Sequence, residues 1–143
     1  MLLEDLLIPH KTNHSKHDKL ITNTASTIEI SPSVITMYQN AYYKIKNKTH
    51  KAGWLESDID LLAMNYNFRK YPDLTDWKEV VFDDAKLLLF EMKTTKSLKN
   101  EKKGLYQLNR SKNMIKNYTG YQDVDCFMAY NVGTGMVWEY KDI

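Results

Sequence analysis

The chain has 143 residues, 43% hydrophobic and 27% charged, which suits one globular domain and excludes wholesale disorder. No apolar run approaches the ~20 residues of a membrane-spanning helix, no basic-then-apolar leader opens the sequence, and a single cysteine, Cys126, excludes an intrachain disulfide framework. The expectation is a cytoplasmic protein without a membrane partner. A net charge of +2 is too small to mark a nucleic-acid binder, but it is unevenly spread. Residues 93–116 carry eight bases against one acid, Glu101, whereas 56–91 carry nine acids against four bases.

In chain order, residues 1–30 read as an extension to a domain spanning 31–143. Leu2, Leu3, Leu6, Leu7 and Ile8 form an apolar turn suited to subunit contact, and Thr27–Ile30 reads as a short strand. Ser31-Pro32 then reads as a helix start, followed by Val34, Tyr38, Ala41 and Ile45 on one helical face, fading by 47–49 with Gly53 as the exit turn. Two apolar strands follow, at 58–64 and 87–94. The second is expected to close a hairpin over 79–93 through the Asp83-Asp84 turn. A helix over 103–118 places Leu105, Leu108, Ile115 and Tyr118 on one side, and Gly120 ends it. Strands at 124–130 and 136–140, joined by Gly133-Thr134-Gly135, complete an α/β sandwich around a mixed sheet.

Strand alternation gives the centre its chemistry. Asp60 and Leu62 share one face of the first strand, and Glu91 and Lys93 share one face of the second. If the strands are neighbours, two carboxylates and an ammonium converge beside an apolar run, a costly arrangement unless they are paired or hold a cation. Carboxylate oxygens on adjacent strands suit Mg²⁺, and the Met92 backbone carbonyl offers a third ligand. Lys93 is then placed to balance charge or assist an attacking water.

Ser57-Asp58-Ile59-Asp60-Leu61-Leu62-Ala63 followed by Leu89-Phe90-Glu91-Met92-Lys93-Thr94-Thr95-Lys96 resembles the core of the PD-(D/E)XK nuclease superfamily. The likeness is greatest to its small members, the archaeal Holliday-junction resolvases, Mrr-type restriction nucleases and RecB-like nucleases. It spans about residues 34–132 and implies a restriction-endonuclease-like αβββαβ core, a central mixed sheet flanked by helices. By this resemblance Asp60 and Glu91 match the metal-binding acids, Lys93 the catalytic lysine, and Gln107 a glutamine near the active site. Gln107 also falls inside the apolar arc of its helix, which places it facing inward. The loop between the two acids is longer than in the compact resolvases, leaving Asp83 or Asp84 as alternative first acids. The strand flanks of Asp60 favour it over their turn. Where relatives often carry a glutamate in the first helix, this segment offers Gln39.

The resemblance implies an Mg²⁺-dependent DNA endonuclease, with Mn²⁺ able to substitute, acting as a homodimer and taking branched DNA among its substrates. An exonuclease or nickase of the same superfamily is the nearest alternative. A DNA-binding or assembly protein that keeps the fold without cleaving is the other. Lys96, Lys99, Lys102, Lys103, Arg110 and Lys112 follow the site directly, where a phosphodiester backbone has to lie. No base-reading motif accompanies them, and no glycine-rich phosphate loop supports a nucleotide cofactor. His10, His14 and His17 share one side only if helical, and read as a solvated segment, as does His50. Cys126, in an apolar strand, reads as a buried inert thiol. Trp54, Trp77 and Trp138 read mainly as packing aromatics.

Overall fold

Residues 34–46 form the longest of the described strands, where the spacing of apolar residues predicts a helix. The computed structural model describes residues 7–11, 18–31, 33–46, 52–54, 59–74, 85–119, 123–132 and 135–143. Its elements in order are β1 (Leu7–Lys11), α1 (Asp18–Ile28), β2 (Val34–Lys46), β3 (Ala52–Trp54), β4 (Ile59–Tyr66), β5 (Ala85–Lys93), α2 (Leu98–Thr119), β6 (Val124–Val132) and β7 (Gly135–Lys141).

The correction at β2 has a local and a tertiary cause. Val34, Ile35, Thr36, Tyr38, Tyr42, Tyr43 and Ile45 are β-branched or aromatic, types that fit a pleated strand better than a helix. Val34, Tyr38, Ala41 and Ile45 satisfy a helical period as well, but β2 is hydrogen-bonded on both sides. Ala41 is opposite Lys11 of β1 and also opposite Ile59 of β4. Ser31 is accordingly not a helix cap. Its carbonyl accepts from Val34 N–H at 3.1 Å in the turn into β2, and its hydroxyl lies 3.0 Å from that of Ser33.

The first helix lies earlier. α1 buries Leu20, Ile21, Thr24, Ala25 and Ile28, a one-sided stripe at offsets of one, four, five and eight residues. The strand expected at Thr27–Ile30 is therefore the end of this helix and the turn after it. Residues 7–28 supply both β1 and α1 to the same sheet and core. His10 lies in β1, so the helical spacing considered for three histidines does not arise there. Residues 1–6, His14, His17, His50, Trp77, Asp83 and Asp84 lie outside the described residues, as do the first arm and turn of the expected hairpin, 79–84.

β4, β5, β6 and β7 stand close to expectation, whereas α2 begins at Leu98 and not at 103, and Gly53, expected as a turn, lies in β3. Among the described residues the sheet has seven strands, in the order β1-β2-β4-β5-β6-β7 with β3 also paired to β2. Every pairing is antiparallel except β5–β6. Parallel neighbours need a crossover, and α2 supplies it. Ser97 caps that helix: its Oγ accepts from Asn100 N–H at 3.1 Å. The result is an α/β fold with a mixed sheet and one described helix on each face. Leu62, Met64, Leu87, Leu89, Cys126 and Met128 pack against Leu108 and Ile115 of α2. Leu61, Ala63, Leu88, Phe90, Met92 and Ala129 pack against α1 on the other side. The alternation along β5 thus assigns its odd-numbered residues, Glu91 and Lys93 among them, to the α2 face. No helix among the described residues is long and apolar enough to cross a membrane.

Candidate active site

The ladder between β4 and β5 ends, in its described register, at Leu61 opposite Phe90. One residue further, Asp60 takes over the role of the backbone: its Oδ2 accepts from Met92 N–H at 2.8 Å. Asp60 and Glu91 are both buried, 9% and 7% exposed. An N–H and a carbonyl of one strand residue point to the same edge, so the Met92 carbonyl is directed to the Asp60 side as well.

Burial and proximity act together on Glu91. Desolvation pushes its carboxyl well above the usual carboxylate range, the neighbouring Asp60 carboxylate pushes it further, and Lys93 opposes both. Lys93 Nζ lies 3.5 Å from Glu91 Oε1, two residues along the same face. It also donates to Gln107 Oε1 at 2.8 Å, which ties β5 to α2. The four residues expected to carry the chemistry, Asp60, Glu91, Lys93 and Gln107, are therefore brought into one cluster.

α2 reaches this cluster closely because of Gly104. A Cβ built there would meet the buried Met128 side chain, with Sδ at 2.8 Å, and would lie 3.6 Å from Glu91 Cγ. A side chain at this position has no room unless Met128 moves. Glycine is the residue that lets the helix lie over Glu91 and present Gln107 to Lys93. Composition alone gives no sign of this, although a lone glycine inside a helical pattern is a recognised signal of close packing.

The donor set fits a hard divalent cation. Two carboxylates and a backbone carbonyl are all oxygen, and two buried carboxylates side by side repel each other unless one is protonated or a cation lies between them. Among the described residues no third His, Cys, Asp or Glu joins the pair. Mg²⁺ commonly binds through one or two carboxylates and completes its shell with water and phosphate oxygens. Gln39 lies on β2 opposite Leu61, on a strand instead of the first helix. α1, the first of the described helices, contains no glutamate.

The basic residues divide. Lys102, Lys103, Tyr106, Gln107 and Arg110 line a cavity of about 560 Å³, so the cationic surface opens onto the same glutamine that holds Lys93. Lys99 is exposed on the same helix. Lys96 is instead bonded to Glu139 and lies 5.8 Å over the Tyr130 ring. Lys112 donates to the Ile143 carbonyl at 2.6 Å. Lys141 bridges Glu101 and Glu139, at 3.1 Å from each, and fastens β7 to the first turn of α2.

Two features stand apart from the site. Cys126 is buried among apolar groups, and burial pushes its thiol up to about 11, so it is not a nucleophile at neutral pH. Trp138 lies edge-on to Phe90 and Phe127, at 6.1 and 5.5 Å, on the α1 face, remote from the carboxylates. No family model, curated protein or solved structure matches the chain.

Proposed function

We propose that the chain is a metal-dependent deoxyribonuclease that hydrolyses phosphodiester bonds internally, of the PD-(D/E)XK kind. The observation that carries the reading is the buried Asp60–Glu91 pair with Lys93 at 3.5 Å and Gln107 bonded to Lys93. It is compatible with an α/β fold in which α2 crosses from β5 to the parallel β6, although the first helix is α1, the segment expected as that helix is β2, and β3 intervenes before β4. It is further supported by the cationic cavity that shares Gln107.

Asp60, Glu91 and the Met92 carbonyl would hold Mg²⁺ or Mn²⁺. When bound, such an ion polarises the scissile phosphate and makes a coordinated water more acidic. The protein's own groups do the rest. The Met92 N–H fixes the Asp60 carboxylate, so that one ligand is oriented before substrate arrives. Lys93 places its ammonium beside Glu91, where it stabilises a deprotonating water and the charge growing on the phosphoryl oxygens. Gln107 holds that ammonium in place and leaves its remaining N–H donors to face substrate. Lys102, Lys103 and Arg110 draw the phosphate backbone to the site in a salt-dependent way. The resemblance extends the proposal to a homodimer and to branched DNA.

The test is a cleavage assay of the wild type and Lys93→Ala, in Mg²⁺ or EDTA, on a four-way junction, a linear duplex, a single strand and a supercoiled circle. Cutting that needs Mg²⁺ and vanishes in Lys93→Ala is expected, and the substrate cut separates endonuclease from exonuclease and nickase. DNA binding without cutting of any substrate would replace the proposal with a non-cleaving DNA-binding protein.

A further inference from the structure

Tyr106 is 69% exposed in the middle of α2, so its ring is not part of the core. The residues around it are cations. Lys102 and Lys103 stand four and three positions before it and Arg110 four after, spacings that set all of them on one side of the helix. These side chains and Gln107 line the cavity of about 560 Å³, and Gln107 accepts from Lys93. An exposed aromatic ring flanked by cations thus lies one residue from the proposed catalytic cluster. A second group of described aromatics, Trp138 and Tyr140, packs edge-on against Phe127 on the opposite face.

We infer that this face of α2 binds an unpaired DNA strand, with a nucleobase stacked on Tyr106 and the flanking phosphates on Lys102, Lys103 and Arg110. The inference rests on the nuclease reading for its adjacency to cleavage, and it gives that site a substrate class: DNA with unpaired bases next to the scissile bond. The cations cannot supply the preference, because the denser phosphate charge of a duplex attracts them at least as strongly. The ring can. A base within a duplex has both faces covered by its neighbours, and only an unpaired base presents a face to an aromatic side chain. A strand held on Tyr106 passes Gln107 and so leads toward Lys93 and the two carboxylates.

The experiment measures binding in EDTA, apart from cleavage, using a single strand carrying one 2-aminopurine and the same strand annealed to its complement. Wild type, Tyr106→Ala and Tyr106→Phe are compared, with thermal unfolding as the check on folding. The wild type is expected to bind the single strand more tightly than the duplex and to quench the 2-aminopurine. Tyr106→Ala is expected to weaken single-strand binding about tenfold, to abolish the quench and to leave duplex binding within about twofold. Tyr106→Phe should keep both the affinity and the quench. Equal losses on both substrates, no loss at all, or a wild-type preference for duplex would overturn the inference. A parallel Mg²⁺ cleavage arm keeps the two readings apart: cleavage with no role for Tyr106 removes only this inference. Tyr106-dependent binding without cleavage removes only the nuclease.

Discussion

Asp60 Oδ2 accepts a hydrogen bond from the Met92 N–H at 2.8 Å, joining two strands at the point where their ladder ends. The same carboxylate raises the pKa of Glu91, so one side chain both completes the sheet and charges the site. Its structural and chemical roles are separable. Asp60→Asn can still accept from Met92 N–H and should stay within about 1 kcal/mol of wild-type stability, whereas Asp60→Ala leaves a buried donor without its partner and should cost about 1–3 kcal/mol. Both should lose Mg²⁺-dependent cleavage. Urea unfolding of the two variants checks the first statement, and an asparagine variant as unstable as the alanine one would refute it.

Glu91 should make the metal-free protein less stable as pH rises. Its folded carboxyl titrates well above the usual range, so over the interval between the two values the folded state holds a proton that the unfolded state has released. Stability from this group is complete below the unfolded pKa and is lost as pH climbs through the folded one. In EDTA, Glu91→Gln should therefore match the wild type near about pH 4 and exceed it near about pH 8. Denaturation midpoints across that range decide it; a constant difference between the two proteins would show that Glu91 is not desolvated as described. Adding Mg²⁺ at neutral pH should raise the wild-type midpoint and leave Glu91→Gln unmoved.

Gly104→Ala sets two effects against each other. An alanine in a helix interior is worth about 0.5–1 kcal/mol over glycine, and overpacking a core typically costs about 1–3 kcal/mol. Met128 is fully buried and its sulfur would lie 2.8 Å from the new Cβ, so the overpacking term should prevail. A net destabilisation of about 1–2 kcal/mol is expected, together with reduced cleavage as α2 lifts Gln107 away from Lys93. Stability equal to or above wild type would mean that Met128 gives way freely.

Cys126 should behave as a spectator. Its thiol is buried and its pKa is pushed up to about 11, so a thiol-specific reagent should label it only after denaturation. Cys126→Ala should leave the rate of cleavage within about twofold of wild type. Fast labelling of the native protein would contradict the burial.

The centre of this fold is legible in the sequence because its signals are redundant. Apolar strands at 59–66 and 85–93 carry alternating charges at Asp60, Glu91 and Lys93, and the long helix after them ends near Gly120; period, composition and punctuation agree. Residues 34–46 illustrate the opposite case. Val34, Tyr38, Ala41 and Ile45 fit a helical period, while the β-branched and aromatic residues between them fit a strand. Pairing with β1 and β4 decides between them, and neither partner is visible in the segment itself. α1 escapes notice because its stripe of Leu20, Ile21, Thr24, Ala25 and Ile28 includes a threonine and an alanine and follows a polar stretch. Among the site residues, strand alternation puts Glu91 and Lys93 on one face, and the pairing of β4 with β5 brings Asp60 to them. Lys96 and Lys112 look alike in the sequence, and only the fold shows that Glu139 lies against one and the Ile143 carbonyl against the other.

The most direct measurement is the rate of cleavage of a supercoiled circle against Mg²⁺ concentration, for the wild type and Glu91→Gln. Wild-type cutting that rises with Mg²⁺, stops in EDTA and falls about 100-fold or more in Glu91→Gln is the predicted result. Cleavage by Glu91→Gln at the wild-type rate would contradict the assignment of the Asp60–Glu91 pair as the metal-holding centre.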